Sequence, residues 1–340
     1  METKSLAATK RATRSLSPGM ILPFVLLVAV LLFPIGDRDD YAMRLATNIF
    51  YFGALGCAWN LIGGFGGQLS LAHASLFAMG AYPTGLLLIN FGVSPLIGGL
   101  VGIAAAVVGS VIIGYPTFRL RGPYFALGTL AFNQITQILL LYFKGYTRGA
   151  LGLIVPFKGN NPINLQFENP EPYYYLALAI LLLTVYAGYR VSTSKTGYYL
   201  SAIRGDQDAA ESIGVDLTMT KLKTLMLSAA LTALVAVFYT VYIAYVDPDS
   251  VASIDLSIKI VLIAIIGGMG TVWGPVLGAA ILIPLTEMSN AWLGSSRAGA
   301  SLILYAILLI VIVLFSPRGL IIWLERPYRA LQGRLFGKGA

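Results

Sequence analysis

Few side chains in this sequence could do chemistry, and their spacing narrows what that chemistry can be. The chain has one histidine, His73, and one cysteine, Cys57. That is too few for a zinc site of the usual His/Cys type, which takes three or four protein ligands, and a lone cysteine forms no intrachain bridge. His73 has no acid near it in sequence, so it reads as a packing or hydrogen-bonding residue with no assigned proton chemistry. No G-x-x-x-x-G-K-[ST] string occurs; the nearest, Gly333 to Gly339, carries Gly337-Lys338-Gly339 with no hydroxyl after the lysine. H-E-x-x-H and G-x-S-x-G are also missing. The expectation is a chain that is not itself an enzyme and holds no metal or cofactor of its own.

What remains is amide, hydroxyl and scattered carboxylate chemistry inside apolar sequence, where polar groups are costly and face a partner or a water-filled path. Asn60, Gln68, Ser70, His73 and Ser75 cluster around one glycine-rich stretch. Asn133, Gln134 and Gln137 follow in another apolar segment, with Asn133 and Gln137 four apart on one helical face. Glu287 lies deep in a third. Asn60, Gln68, Ser70, His73, Asn133, Gln137 and Glu287 are therefore the candidate lining of a translocation path, with interhelical hydrogen bonding as the alternative for each. Lys259 has Asp255 at i−4 to pair with and a stem long enough to reach an interface.

The elements that must position these residues are membrane helices. Charged residues make up 11% of the 340 and apolar ones 57%, with a mean hydropathy of +0.78; a soluble chain averages about 25% charged. A soluble enzyme, a disordered chain and a disulfide scaffold are excluded. A bilayer core is crossed by about 20 apolar residues in a helix. That window gives an all-α, polytopic helical bundle of about ten spans, near 19–35, 45–62, 68–90, 96–117, 123–143, 173–190, 222–246, 256–270, 275–292 and 301–316. Basic tails at 1–18 and 317–340 flank the transmembrane domain 19–316.

Charge tests that topology independently, because Lys and Arg in short loops stay cytoplasmic. With the N-terminus inside, 16 of the 23 bases and 6 of the 15 acids fall inside, a balance of +10, leaving −2 outside and the total of +8. Both termini are thus expected in the cytoplasm. The basic surplus is a topology signal and not a nucleic-acid patch. The basic start followed by an apolar run imitates a signal peptide, but Gly36-Asp37-Arg38-Asp39-Asp40 follows in place of a cleavage site, so 19–35 reads as an uncleaved first span.

Glycine is concentrated where two spans should end: at Gly63, Gly64, Gly66 and Gly67, and, 204 residues on, at Gly267, Gly268 and Gly270. They read either as helix breaks beside a substrate path, which are tolerated only inside protein or at a cavity, or as tight turns at the cytoplasmic surface. The longest inner connection, 190–221, holds a short amphipathic helix. Asp206 or Asp208 can start it, Gly214 can end it in a left-handed cap, and Ala202, Ile203, Ala209, Ala210 and Ile213 can form its apolar face. Such a helix is either a docking element or a solvated connector on the headgroups.

Six motifs in order, GGFGGQLSLAHASLFAMGAY (63–82), RLRGPYFALGTLAFNQI (119–135), AIRGDQDAAESIGVD (202–216), YVDPDS (245–250), IGGMGTVWGPVLGAA (266–280) and FSPRGL (315–320), resemble the LivM-type permease subunit of bacterial ABC importers for branched-chain amino acids. The resemblance runs from about residue 41 to 320. It implies a pathway shared with a LivH-type second permease, two ABC ATPase subunits that carry ATP and Mg on the cytoplasmic face, and a periplasmic substrate-binding protein, all at the bacterial inner membrane. Asp208-Ala209-Ala210 with Gly214 is similar to the E-A-A-x-x-x-G coupling signature, Asp standing for Glu; Arg204 and Glu211 complete the expected ATPase-coupling loop. The I-x-L-P that often follows is absent, 224–227 being Thr-Leu-Met-Leu. The family also includes permeases for urea, short amides and other amino acids. An ion-coupled stand-alone transporter is the rival class, and beyond Glu287 and His73 the spans offer it almost no titratable groups.

Overall fold

The structure, a computed structural model, describes residues 30–35, 39–293 and 319–320. Residues 30–35, ending in the 3-10 turn Phe33–Ile35, belong to a unit of their own, and everything below concerns the second unit, within Asp39–Arg326. The expected last span 301–316, most of the first and most of both tails lie outside the described residues.

Among the described residues, seven helical segments are long and apolar enough to cross a membrane, and Gly274–Leu293 adds a further apolar helix. In chain order the helices are α1 (Asp40–Asn60, prolonged by a π-helical turn Leu61–Phe65), α2 (His73–Phe91), α3 (Pro95–Thr117), α4 (Pro123–Tyr142), α5 (Glu171–Ser192), α6 (Lys195–Gly205), α7 (Gln207–Ser212), α8 (Leu217–Ile243), α9 (Ile254–Gly268) and α10 (Gly274–Leu293). Each middle span of the sequence reading has its helix, with the ends moved for local reasons. α8 begins five residues earlier than expected because Asp216 Oδ1 accepts from Met219 N at 2.9 Å, a side-chain cap that starts the helix in polar sequence. α2 begins later because residues 68–72 are not helical. Pro95 and Pro123 each open a helix, where a missing N–H costs nothing.

α8 is the central post, packed by α1, α2 and α3, while α9 and α10 pack on each other and on α1. α2 meets its neighbours through small residues: Gly102 lies against the Gly80 backbone and Gly80 against Ala233. In lipid, where apolar side chains gain little by leaving the solvent, such close backbone approach is what holds helices together. Leu96, Leu100, Val108, Ile112, Leu127 and Ile138 point outward, the reverse of a soluble surface and suited to acyl chains. The connection 143–170 is tied down by a two-residue antiparallel pair, β1 (Leu153–Ile154) with β2 (Tyr245–Val246).

The connections sort to two ends. The 143–170 segment lies between the end of α4 and the start of α5, and 193–216, with α6 and α7, lies at the other end of α5. Cys57 is buried, so the natural chain should resist a membrane-impermeant maleimide in intact vesicles. Asn160→Cys and Ser212→Cys, both at exposed positions, should label only from opposite faces; labelling of both from one face would contradict this arrangement.

Candidate functional site

α1 does not stop at a surface turn. After Asn60 it widens into the π-helical turn, reverses through Gly66 and Gly67, and returns as the extended segment 68–72 before α2 starts. That segment climbs into the bundle. Leu71 N bonds Thr129 Oγ1 at 3.0 Å, and Thr129 lies six residues into α4, about 9 Å along its axis. Two of its carbonyls are also met by side chains: Trp59 Nε1 donates to Ser70 O at 2.7 Å, and Ser257 Oγ donates to Leu71 O at 2.8 Å while accepting from Ala74 N, in the first turn of α2, at 3.1 Å. Buried non-helical backbone survives in an apolar bundle only when it is satisfied in this way.

The starts of α2 and α9 meet at this level. Ser75 Oγ donates to Asn133 Oδ1 at 2.9 Å, and Asn133 Nδ2 donates to Ala252 O, just before α9, at 3.0 Å. Asn133 is ten residues into α4, about 15 Å, half of a hydrocarbon core of about 30 Å. Gln137, one turn further, donates to Asp249 Oδ1 at 2.9 Å. Asn133 and Gln137 thus share a face, aimed at the 249–252 segment. His73 is fully buried; its Nε2 is 2.9 Å from Ser228 Oγ, whose own hydrogen goes to Ala58 O at 2.6 Å. The hydroxyl can then only accept, so Nε2 carries the imidazole proton and Nδ1 is left bare; among the described residues Nδ1 has no partner.

The two glycine segments, 204 residues apart in sequence, are joined. Asn60 Nδ2 donates to Thr271 O and Asn60 Oδ1 accepts from Gly270 N, both at 2.8 Å. A Cβ on Gly64 would overlap both Asn60 Oδ1 and Gly270 N, so the junction closes only around glycine. The second segment, Gly267 to Thr271, is a tight turn between α9 and α10 in which Thr271 Oγ1 donates to Gly268 O at 2.7 Å. Gly319 and Leu320 return to it, with Leu320 N bonding Ile266 O at 2.8 Å.

Arg204 links this junction to the connection 193–216. Its stem lies along Gly67, Nη1 donates to Gly64 O at 2.9 Å, and the guanidinium lies against Gly270. α7 follows at once. Of the two aspartates open to the role, Asp206 is the cap: its Oδ1 accepts from Asp208 N at 2.9 Å and Ala209 N at 3.0 Å. The helix ends in a Schellman pair, Val215 N to Ala210 O and Gly214 N to Glu211 O, with Gly214 at φ +88°. Two side chains fix α7 to its surroundings. Lys221 Nζ, from buried Lys221 in α8, donates to Gln207 Oε1 at 2.9 Å, and Arg121 pairs with Asp208 at 2.8 Å. The latter pair is largely exposed and contributes little stability.

Several expected placements change. The apolar face of α7 is formed by Ile203, Ala210 and Val215, while Ala209 and Glu211 are exposed and Ile213 is 77% exposed. The six-residue helix is too short to keep one face over 202–213, and the chain turn at Gly214 brings Val215 in instead. Lys259 does not pair with Asp255; its amine sits over the Phe52 ring, 3.9 Å from the centroid, facing Glu287 of α10. Among the described residues Glu287 forms no hydrogen bond with the other candidate path residues, unlike Asn133 and Gln137, which meet the 249–252 segment. Gln68 bonds only its neighbour Gly66 O, at 3.3 Å. Sequence reasoning missed Trp59, Thr129, Ser228, Ser257 and Thr271, because a Ser or Thr inside a span usually bonds its own helix and nothing local marks a partner 11 to 211 residues away.

Seven helices long and apolar enough to cross a bilayer, with buried amides and hydroxyls joining the segments between them, define a multi-pass helical membrane protein. The chain is a member of the family of permease components of branched-chain amino acid transport systems, whose family model matches residues 41–312. The high-affinity branched-chain amino acid transport system permease protein LivM of Salmonella typhimurium is 26% identical over 326 residues, 88% of this chain and 74% of that protein. LivM of Escherichia coli is 26% identical over 323 residues, 87% and 73%. The fructose import permease protein FruG of Bifidobacterium longum is 29% identical over 262 residues, 66% of this chain and 75% of its own. No solved structure matches the chain.

Asn60→Leu removes the side-chain partner of two part-buried backbone groups, Gly270 N–H and Thr271 C=O. Two such hydrogen bonds contribute about 1–3 kcal/mol together, so the thermal midpoint of the purified variant should fall below that of the natural chain. An unchanged midpoint would show that the junction does not depend on this amide.

Proposed function

We propose that this chain is the transmembrane permease subunit of an ATP-driven ABC importer that moves leucine, isoleucine and valine into the cytoplasm. The observation that carries the reading is the rigid linkage from α7 through Arg204 to the junction of the two glycine segments. An importer without a nucleotide site of its own needs an element that partner ATPases can grip and that reports to the spans. α7 has a side-chain cap at one end, a left-handed glycine at the other and anchors on α8 and on the 118–122 turn. Ile213 stands out from it as an apolar anchor, and a cavity of 320 Å³ lies alongside, lined in part by Phe118, Gln207, Glu211 and Lys221.

On this reading ATP and Mg are bound by two ABC ATPase subunits that dock on α7, a LivH-type permease completes the pathway, and a periplasmic binding protein delivers the cargo. Docking that differs between nucleotide states biases the spans between inward- and outward-facing forms, as any such shift requires. The end carrying α6 and α7 then faces the cytoplasm, as do both termini, in agreement with the excess of bases in those segments, and the membrane is the bacterial inner one. The names of the LivM relatives support the cargo, and small zwitterions with apolar side chains suit a path of hydroxyls, amides and small residues.

Ala210 lies on the buried face of α7, so changing it would test local folding; Ile213→Asp, at an exposed position, tests docking, and Gly214→Pro, which cannot hold φ +88°, tests the need for an intact helix end. Ile213→Asp and Gly214→Pro should cut ATP hydrolysis stimulated by loaded binding protein by at least about tenfold, the size of an interface anchor, while the chain still inserts. Pull-down of the natural chain should recover two ATPases and a second permease. Uptake of leucine by this chain alone, or competition of uptake by fructose and not by isoleucine or valine, would overturn the reading.

A further inference from the structure

The 245–250 motif is not used by the coupling reading, yet it packs on α2 through β2 and the helical turn Pro248–Val251. Two oxygens there are buried and lack partners among the described residues: the Tyr82 hydroxyl, on a side chain only 3% exposed, and Asp247 Oδ1. The other carboxylate oxygen of Asp247 is occupied, with Oδ2 accepting from Ser250 N at 3.1 Å as the cap of that turn. Asp247, Tyr245 and Asp249 are the charged or phenolic groups within electrostatic range of the Tyr82 hydroxyl, and Asp249 is already held by Gln137. Tyr239 adds a ring 5.3 Å from Phe77 and 5.8 Å from Tyr51. No Lys or Arg among the described residues pairs with Asp247.

A carboxylate oxygen and a phenol oxygen, both shielded from solvent and paired with no Lys or Arg among the described residues, lack one thing: a compact donor of several N–H bonds carrying positive charge. A primary ammonium has three donors and no acceptor, and aromatic faces favour it further. Tyr82 lies nine residues beyond His73, about 14 Å along α2, between the mid-level seam and the end that carries 143–170. We infer that Tyr82 and Asp247 form a transient subsite for the α-ammonium of an amino acid on its way to that seam. This rests on the amino-acid cargo proposed above.

The test is uptake of radiolabelled leucine into proteoliposomes holding the chain with its partner subunits, with ATP on the side of α7 and saturating binding protein on the other. Tyr82→Phe removes an oxygen that holds no hydrogen bond, so a purely structural role predicts no loss. A subsite role predicts that the uptake rate falls about tenfold, the scale of a hydrogen bond to a charged group. Asp247→Asn, which keeps a capping side chain, should fall as far, and Asp247→Glu should recover part of the rate. Should Asp247→Asn assemble poorly, Tyr82→Phe decides. Leucine uptake by both variants within twofold of the natural chain overturns the subsite alone and assigns the two oxygens to a buried water. Failure of the natural assembly to carry any amino acid overturns the subsite and the cargo reading together.

Discussion

Backbone that leaves the helix inside an apolar bundle must find partners there, since neither lipid nor packed side chains can solvate an N–H or C=O. That constraint organises this protein. Residues 66–72 break away from α1, and the polar atoms they expose are met one by one by Trp59, Thr129 and Ser257. Each partner sits on a different element, so the break can exist only where α1, α4 and α9 are already in place. The cost of an unmet amide, about 1–3 kcal/mol, is large beside the few tenths to about two contributed by a typical interhelical hydrogen bond in membranes, and it locks these helices into one register.

Asn60 extends the same logic from one break to the other. Its two amide atoms take one donor and one acceptor from the turn at Gly270 and Thr271, while the Arg204 guanidinium takes the Gly64 carbonyl left free by the π-helical turn. Three segments remote in sequence therefore share one small junction, and any displacement of α6 and α7 acts directly on the ends of α1 and α9. The contrast with the Arg121–Asp208 pair is instructive. That contact is the shorter of the two arginine contacts, but it lies in water, where an ion pair gains little; the Arg204 contact satisfies backbone that has no other partner.

Much of the fold was legible in the residues. The spans from 45 to 292 were found from apolar run length alone because the bilayer fixes that length, and their ends moved only where a cap such as Asp216 or an unwound stretch such as 68–72 intervened. Gly214 was legible too, since a left-handed residue after a short helix favours glycine. The facing of short elements was not. Ile213 was assigned to a buried face that Val215 occupies, and Lys259 was paired with Asp255 when an aromatic ring on another helix was nearer. In both cases a local rule was right about reach and wrong about the competitor.

By itself, then, the amino-acid order determined that the chain lives in a membrane, where its helices lie, which residues are polar within them and which short connecting helix is capped at both ends. These follow from terms that act within a few residues: the apolar length needed to cross lipid, side-chain caps and the conformational range of glycine. Only the tertiary structure decided that the two glycine segments touch, that Asn60 joins them, that Arg204 reaches both, and that Tyr82 and Asp247 each keep a buried oxygen without a partner among the described residues. Those facts depend on pairing between groups up to 211 residues apart, and a single chain of letters carries no local signal of which distant carbonyl a given amide will meet.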